Sequence, residues 1–143
     1  MALAKVLLVD DEAPFVETMT KRLTKRDLQI TSALSGEEAL KQLERDSTTE
    51  IVILDVKMPG RDGIETLKEI KRLYPLTEVI MLTGHATVET AIDGMKLGAF
   101  DYLMKPCDMD QLMLKIKEAV ARKRQHATKI MEARLKEITL RRT

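Results

Sequence analysis

The sequence predicts an α/β fold in which a parallel β-sheet carries helices on both faces. Short apolar runs typical of buried strands alternate five times with segments whose apolar residues recur at helical spacing. Each strand and helix together take about 20 to 27 residues, a length that suits parallel strands joined by crossover helices. Spacing alone leaves the order of the strands in the sheet open.

The strands are predicted from runs of β-branched and other aliphatic residues. The clearest run is 51–54, where four large aliphatic residues, three of them β-branched, indicate a strand that is buried on both faces. The five predicted strands span residues 6–9, 29–33, 51–54, 78–82 and 100–104.

The helices are predicted from apolar spacing and from residues that begin or end a helix. Ser35, followed three positions later by Glu38, is a capping-box pattern that opens the second helix. Pro75 ends the third, because the residue before a proline avoids the α region, and Gly98 is the expected left-handed stop of the fourth. The remaining predicted bounds are 13–26, 64–73 and 87–97, with a last helix from Met109 onward.

The last helix is predicted to be unusually long. No Gly or Pro follows Pro106, and the helical apolar stripe continues, so the helix is expected to run for about 30 residues. Residues 1–121 carry 16 Lys and Arg against 21 Asp and Glu, whereas residues 122–143 carry 8 against 2. We therefore predict one domain over residues 1–121 and a basic helical extension over residues 122–143.

Composition restricts the classes of protein to which the chain can belong. The single Cys107 cannot form an internal disulfide, no apolar run is long enough to cross a bilayer, and the first residues are too few and too ordinary for a signal peptide. These features predict a cytoplasmic protein without a membrane partner. The absence of Trp and the scarcity of Phe and Tyr argue against a surface that stacks nucleic-acid bases.

Reactive side chains follow four of the predicted strands. Asp10 and Asp11 follow the first strand, Asp55 the third, Thr83 the fourth and Lys105 the fifth. In open α/β sheets, ligands bind at the carboxyl ends of the strands, so we expect these residues to share one rim. Any one of them alone is more often a turn or capping residue, and it is their coincidence that indicates a site.

Three carboxylates at one rim would repel one another and raise the pKa of at least one, unless a cation lies between them. A hard divalent ion such as Mg²⁺ suits carboxylate oxygens. An aspartate beside Mg²⁺ and Lys105 is a plausible nucleophile for phosphoryl transfer, with the metal and the lysine stabilising the transferring oxygens.

These motifs resemble the receiver domain of two-component response regulators. The resemblance rests on Asp10-Asp11, on Asp55 followed by the stretch 58–63, on Thr83-Gly84 and on the stretch 100–106, and it covers residues 4–121. It implies a flavodoxin-like doubly wound sheet of five parallel strands in the order 2-1-3-4-5.

The resemblance also implies a role for each matching position. Asp55 would be the phosphoacceptor, and Asp10 and Asp11 would hold Mg²⁺ (or Mn²⁺) together with Asp55 and the backbone carbonyl of Lys57. Three further positions complete the expected site: Thr83 as the switch hydroxyl, Tyr102 as the switch aromatic, and Lys105 as the contact to the phosphoryl group, followed by a cis bond before Pro106. Such a protein is a phosphoacceptor that assists its own phosphorylation and dephosphorylation and is not otherwise an enzyme.

The implied partners are a sensor histidine kinase or phosphotransfer protein and a downstream protein target. No helix-turn-helix fits into residues 122–143, so direct DNA binding is not expected. Dimerisation is expected through the 87–97 helix and the last helix, or through the extension.

Other interpretations remain open at this stage. The chain is either a stand-alone receiver, which we favour because the last helix runs to a natural end, or a receiver and linker from a larger transcriptional activator. The stretches 83–86 and 97–102 resemble the receivers of bacterial enhancer-binding activators. An Asp-nucleophile phosphatase is disfavoured because Lys57 stands where the second Asp is expected, and a flavin protein because no glycine-rich and hydroxyl-rich loop follows the first strand.

Overall fold

A computed structural model describes residues 2–56, 62–84 and 87–141 of the chain. Five strands and five helices alternate along these residues, as predicted. The elements are β1 (Ala4–Val9), α1 (Ala13–Thr24), β2 (Leu28–Ala33), α2 (Gly36–Arg45), β3 (Ile51–Leu54), α3 (Gly63–Leu73), β4 (Glu78–Thr83), α4 (Val88–Lys96), β5 (Asp101–Met104) and α5 (Met109–Arg141).

The strands form one parallel sheet in the order β2-β1-β3-β4-β5. This is the order 2-1-3-4-5 that the resemblance implied, so the predicted fold class is confirmed. The order reverses direction between β1 and β3, which lie side by side with Val9 opposite Leu54. The carboxyl ends of these two strands therefore lie at the topological switch point, where the strand order reverses and where doubly wound sheets bind ligands.

Both faces of the sheet are covered, as the apolar run 51–54 predicted. Ile51 and Ile53 belong to the core cluster that α1 and α5 complete, whereas Val52 and Leu54 belong to the cluster that α2 and α3 complete. Successive side chains of a strand point to opposite faces, so a strand between two helical layers has to be apolar throughout. All four residues are buried.

Most helix boundaries follow the predicted signals with small shifts. The Ser35 side chain accepts from the backbone N–H of Glu38 at 3.2 Å, but the Glu38 carboxylate accepts from the backbone N–H of Leu34 rather than from that of Ser35. The start of α2 is therefore capped as predicted, with the return bond moved by one residue. Gly98 has a φ of +100° and directly follows the C-cap of α4, which confirms the predicted left-handed stop.

Some predicted bounds are wrong by one or two residues. The first helix ends at Thr24 rather than at residue 26, and Thr83 is the last residue of β4 rather than the first residue beyond it. Asp62 caps α3, with its side chain accepting from the N–H of Glu65 at 2.8 Å, so that α3 begins at Gly63 rather than at residue 64.

The last helix, α5, is continuous over 33 residues. Its buried positions begin at Leu112 and end at Val120, while the large apolar residues beyond that point are exposed. The division into a domain over residues 1–121 and an extension over residues 122–143 stays a prediction, since the helix runs unbroken across this boundary. None of the helices in the described ranges is both long and apolar enough to span a bilayer.

Candidate functional site

The candidate site lies at the carboxyl ends of β1 and β3. The backbone N–H of Asp10 donates to the carbonyl of Ala33 at 3.1 Å, and the N–H of Asp55 donates to the carbonyl of Val9 at 3.0 Å. Both bonds continue the sheet ladder by one residue beyond the strand ends. The backbone of each aspartate is thus held in place by a hydrogen bond to the neighbouring strand.

Four acidic side chains meet at this edge. Asp10, Asp11, Glu12 and Asp55 each offer a carboxylate oxygen, and these four oxygens lie within 4.8 Å of one another. Asp10 and Asp55 are only 1% and 2% exposed, whereas Asp11 and Glu12 are exposed to solvent. Such a cluster can bind a metal ion, and an all-oxygen donor set suits a hard divalent cation.

One oxygen of Asp55 has no hydrogen-bond partner among the described residues. This atom, Oδ1, is buried, and an unpaired buried carboxylate oxygen is costly because it has lost its water without gaining a donor. The cluster therefore fits a bound cation, which would give this oxygen a partner. The predicted fourth protein ligand, the carbonyl of Lys57, lies outside the described residues.

Lys105 is the cation that the described residues bring to this cluster. Its backbone N–H donates to the carbonyl of Thr83 at 2.9 Å, which holds the segment after β5 against the end of β4. Its Nζ lies 2.5 Å from Asp10 Oδ2 and 3.8 Å from Asp55 Oδ2. It also lies 3.3 Å from Glu12 Oε1, so that one ammonium group faces three carboxylates.

The pKa values reflect this crowding. Burial raises the pKa of Asp10 above its ordinary value, hydrogen bonds from Lys105 and from the N–H of Glu12 oppose that rise, and the charge of Asp55 adds a smaller increase. Repulsion between carboxylates was the predicted cause, and it is secondary to burial here. Burial alone would lower the pKa of Lys105, but its hydrogen bond to Asp10 and the surrounding negative charges raise it overall, so Lys105 is protonated.

Thr83 and Tyr102 lie on β4 and β5, the two strands that follow β3 in the sheet. Thr83 ends β4, opposite Met104, and is fully buried. The Tyr102 hydroxyl is 3.0 Å from the Thr90 hydroxyl in the first turn of α4, and the ring packs against the core cluster on that face of the sheet. The predicted switch aromatic therefore contacts α4.

The model of the response regulator receiver domain family matches residues 6–117. The chain belongs to this family. It is 40% identical over 116 residues to the transcriptional regulatory protein ZraR of Escherichia coli K12, a match that covers 81% of this chain and 26% of ZraR. The chain thus spans about a quarter of the length of that relative.

Solved structures show the same receiver fold. A response regulator receiver domain protein from Clostridium thermocellum has a TM-score of 0.82 and 37% identity, covering 86% of this chain and 98% of the other. NtrX from Brucella abortus has a TM-score of 0.81 and 30% identity, covering 90% of this chain and 29% of NtrX. The cis bond that the receiver resemblance implied is present between Lys105 and Pro106.

Three residues near the receiver site were missed by sequence reasoning. Glu12 joins the acidic cluster, and its place as the third consecutive acid was a usable signal. Thr90 completes a capping box with Thr87 and also bonds Tyr102, but hydroxyl pairs at this spacing are too common to stand out. Phe15 lies against Lys105, and nothing in the local sequence of α1 indicates that contact.

Proposed function

We propose that Asp55 accepts a phosphoryl group from the phosphohistidine of a sensor histidine kinase or phosphotransfer protein. A carboxylate oxygen of Asp55 attacks phosphorus, the bond between phosphorus and the imidazole nitrogen breaks, and the histidine leaves as neutral imidazole once it is protonated. The product is an aspartyl phosphate on this chain.

The observation that carries this proposal is the environment of Asp55 Oδ1. The atom is buried and has no hydrogen-bond partner among the described residues, in a cluster of four carboxylates that faces one lysine. Glu78 Oε2 is also buried without a hydrogen bond, but it lies 3.8 Å from Arg122, whereas Asp55 belongs to a cluster of four acids. An oxygen left without a donor beside a protonated lysine is suited to a nucleophile that gains its partners with its substrate.

The acidic cluster would hold Mg²⁺ or Mn²⁺ through Asp10, Asp11 and Asp55. Such an ion neutralises part of the carboxylate charge and of the charge on the phosphoryl oxygens. Lys105, already protonated and 3.8 Å from Asp55 Oδ2, would contact a phosphoryl oxygen as a point charge. The described residues thus supply both an anionic pocket for the metal and a cation for the phosphate.

The phosphoryl group would act as a switch that alters a protein partner or a further domain. Thr83 would move its hydroxyl toward the phosphoryl group, and Tyr102, whose hydroxyl contacts Thr90, would carry the change to α4. On this proposal the receiver regulates and does not turn over a substrate. The share of ZraR that this chain covers favours a receiver that controls a further domain, as in a larger activator, over the stand-alone receiver that the sequence favoured.

The test is intact mass after incubation with acetyl phosphate and Mg²⁺. We expect the wild type to gain one phosphoryl group and Asp55→Asn to gain none. Asp93→Asn, which changes an exposed aspartate on α4, is the matched control and should gain the group like the wild type. An adduct that persists in Asp55→Asn, or that forms equally well in the presence of a chelator, would contradict the proposal.

A further inference from the structure

Phe15 of α1 lies directly against the ammonium group of Lys105. The Nζ atom is 4.0 Å from the centroid of the Phe15 ring, well within the roughly 6 Å at which a cation over an aromatic face is attracted to it. The ring is half-buried and packs on the core cluster that α1 and α5 share. Its position is therefore fixed by the core rather than by the lysine.

The ring and the carboxylates enclose the lysine from different sides. The Lys105 side chain is only 15% exposed although it carries a full positive charge. Its ammonium donates hydrogen bonds to Asp10 and Glu12, and the aromatic face lies over the same nitrogen. Water is thus largely excluded from a group whose charge the site uses, and its electrostatic effect is stronger for that.

The aromatic contact differs from the carboxylate contacts in having no fixed direction. A hydrogen bond to Asp10 Oδ2 holds the nitrogen at one point, 2.5 Å away, whereas Asp55 Oδ2 is 3.8 Å away and is not hydrogen-bonded to it. An ammonium group can shift across the face of a ring while keeping most of the attraction, which comes from the ring quadrupole. The ring can therefore hold Lys105 in the site while its hydrogen bonds change partner.

We propose that Phe15 is a positioning residue, whose aromatic ring holds the Lys105 ammonium over the acidic cluster for contact with a phosphoryl oxygen. This proposal rests on the proposed function of Asp55. The ring acts through Lys105 and touches neither the phosphoryl group nor a metal. An aliphatic side chain of similar size would fill the same space in the core but would lack the quadrupole that attracts the charge.

The test compares Phe15→Tyr, which keeps a ring, with Phe15→Leu and Phe15→Met, which keep only the apolar volume. We expect phosphorylation by acetyl phosphate with Mg²⁺ to slow about fivefold in the two variants without a ring, because the loss of about 1 kcal/mol of cation–π attraction lowers the population of Lys105 held over the cluster by that factor. Phe15→Tyr should stay within about twofold of the wild type, and the affinity for Mg²⁺ should change little in any variant. Equal rates in Phe15→Leu and Phe15→Tyr, with both folded, would overturn the proposal, because packing alone would then explain the ring.

A second readout does not depend on phosphorylation. The Lys105 Nζ lies over the ring, so the NMR signals of the protons on the adjacent side-chain carbon should be shifted upfield in the wild type and in Phe15→Tyr. They should return toward ordinary lysine positions in Phe15→Leu. Ordinary positions in the wild type would overturn the proposal even if Asp55 is phosphorylated, whereas an upfield shift without any adduct would place the failure in the proposed function instead.

Discussion

At the amino ends of the strands, here called the amino edge of the sheet, the carboxylates of Glu50 and Glu78 lie among an excess of basic side chains. At the carboxyl edge, the buried carboxylates of Asp10 and Asp55 lie among further acids. Glu78 is 3% exposed at its side chain and is 3.6 Å from Lys71 and 3.8 Å from Arg122. Glu50 is paired with Arg124 at 2.9 Å and lies 3.8 Å from Lys123. Four acids and one lysine share the carboxyl edge in the described part of the chain.

The comparison shows that burial of a carboxylate does not by itself indicate a functional site. At the amino edge, the cations come mostly from the start of the α5 extension, and their pairs fasten that helix to the sheet. At the carboxyl edge the negative charge is left in excess, which favours a bound cation. The sign of the remaining charge therefore distinguishes an anchoring cluster from a candidate site.

The largest contrast between the two edges should appear when Mg²⁺ is added. An ion that binds only the folded protein raises the free energy of unfolding by about 2.7 kcal/mol at a hundred times its Kd. We expect the wild type to gain this stability in urea unfolding. Asp11→Asn, which removes an exposed acid of the cluster, should need a higher Mg²⁺ concentration to reach it.

Glu50→Gln is the control at the opposite edge. It removes an acid that is paired with Arg124 and lies outside the acidic cluster. Its Mg²⁺-dependent gain should match that of the wild type. A reduced gain in Glu50→Gln comparable to that in Asp11→Asn would mean that the ion acts through the charge of the whole protein rather than at the carboxyl edge.

The next largest effect is expected for Glu78→Gln. This change leaves Lys71, whose pKa is already lowered by burial, without its nearest carboxylate, so we expect the free energy of unfolding to fall by about 2 kcal/mol. Glu17→Gln, which breaks an exposed pair with Lys21, should change it by less than about 0.5 kcal/mol. Equal losses of unfolding free energy in the two variants would show that the ion pairs of Glu78 stabilise the fold no more than an exposed ion pair does.

The smallest effect concerns Asp46, a third paired carboxylate near the amino edge. A hydrogen bond from Lys5, followed by bonds from Thr48, lowers the pKa of Asp46 to about 2. A carboxyl group whose pKa is lower in the folded state stabilises the fold above its ordinary value of 3.8, and this contribution is lost as the pH falls toward 2.

Comparison of unfolding curves for the wild type and Asp46→Asn between pH 5 and 2 measures this contribution, since the variant lacks it at every pH. We expect the two curves to converge as the pH falls. A difference that is constant across this range would mean that the Asp46 carboxylate is not the group that titrates.

The sequence predicted the carboxyl edge better than the amino edge, and the reason is physical. Asp10 and Asp55 follow apolar strands, and parallel strands must end at a common edge, so their meeting follows from the fold class. The burial of Glu78 depends on α5, which begins about 30 residues later in the chain and covers that edge. Contacts of this kind depend on how helices pack, so they leave no pattern in the local sequence.

The same limit applies within the candidate site. The position of Lys105 was predictable from the end of β5, but its contact with Phe15 depends on how α1 packs against the core. The shift of Thr83 into β4 reflects sheet pairing with Met104, which extends the strand by a residue beyond its apolar run. The phosphorylation experiment tests the role assigned to Asp55, whereas the roles assigned to Thr83 and Tyr102 stay predictions.

The length of α5 means that a small change in its tilt produces a large displacement at its far end. Its last buried side chain is Val120, and it continues without interruption to Arg141, so about 30 Å of helix extends past that residue at 1.5 Å per residue. The pairs of Arg122 and Arg124 with Glu78 and Glu50 lie at the base of this helix segment. A tilt of only about 5° at the base would move the far end by roughly 3 Å, so a small rearrangement of the sheet edge becomes a larger displacement at the end of the helix.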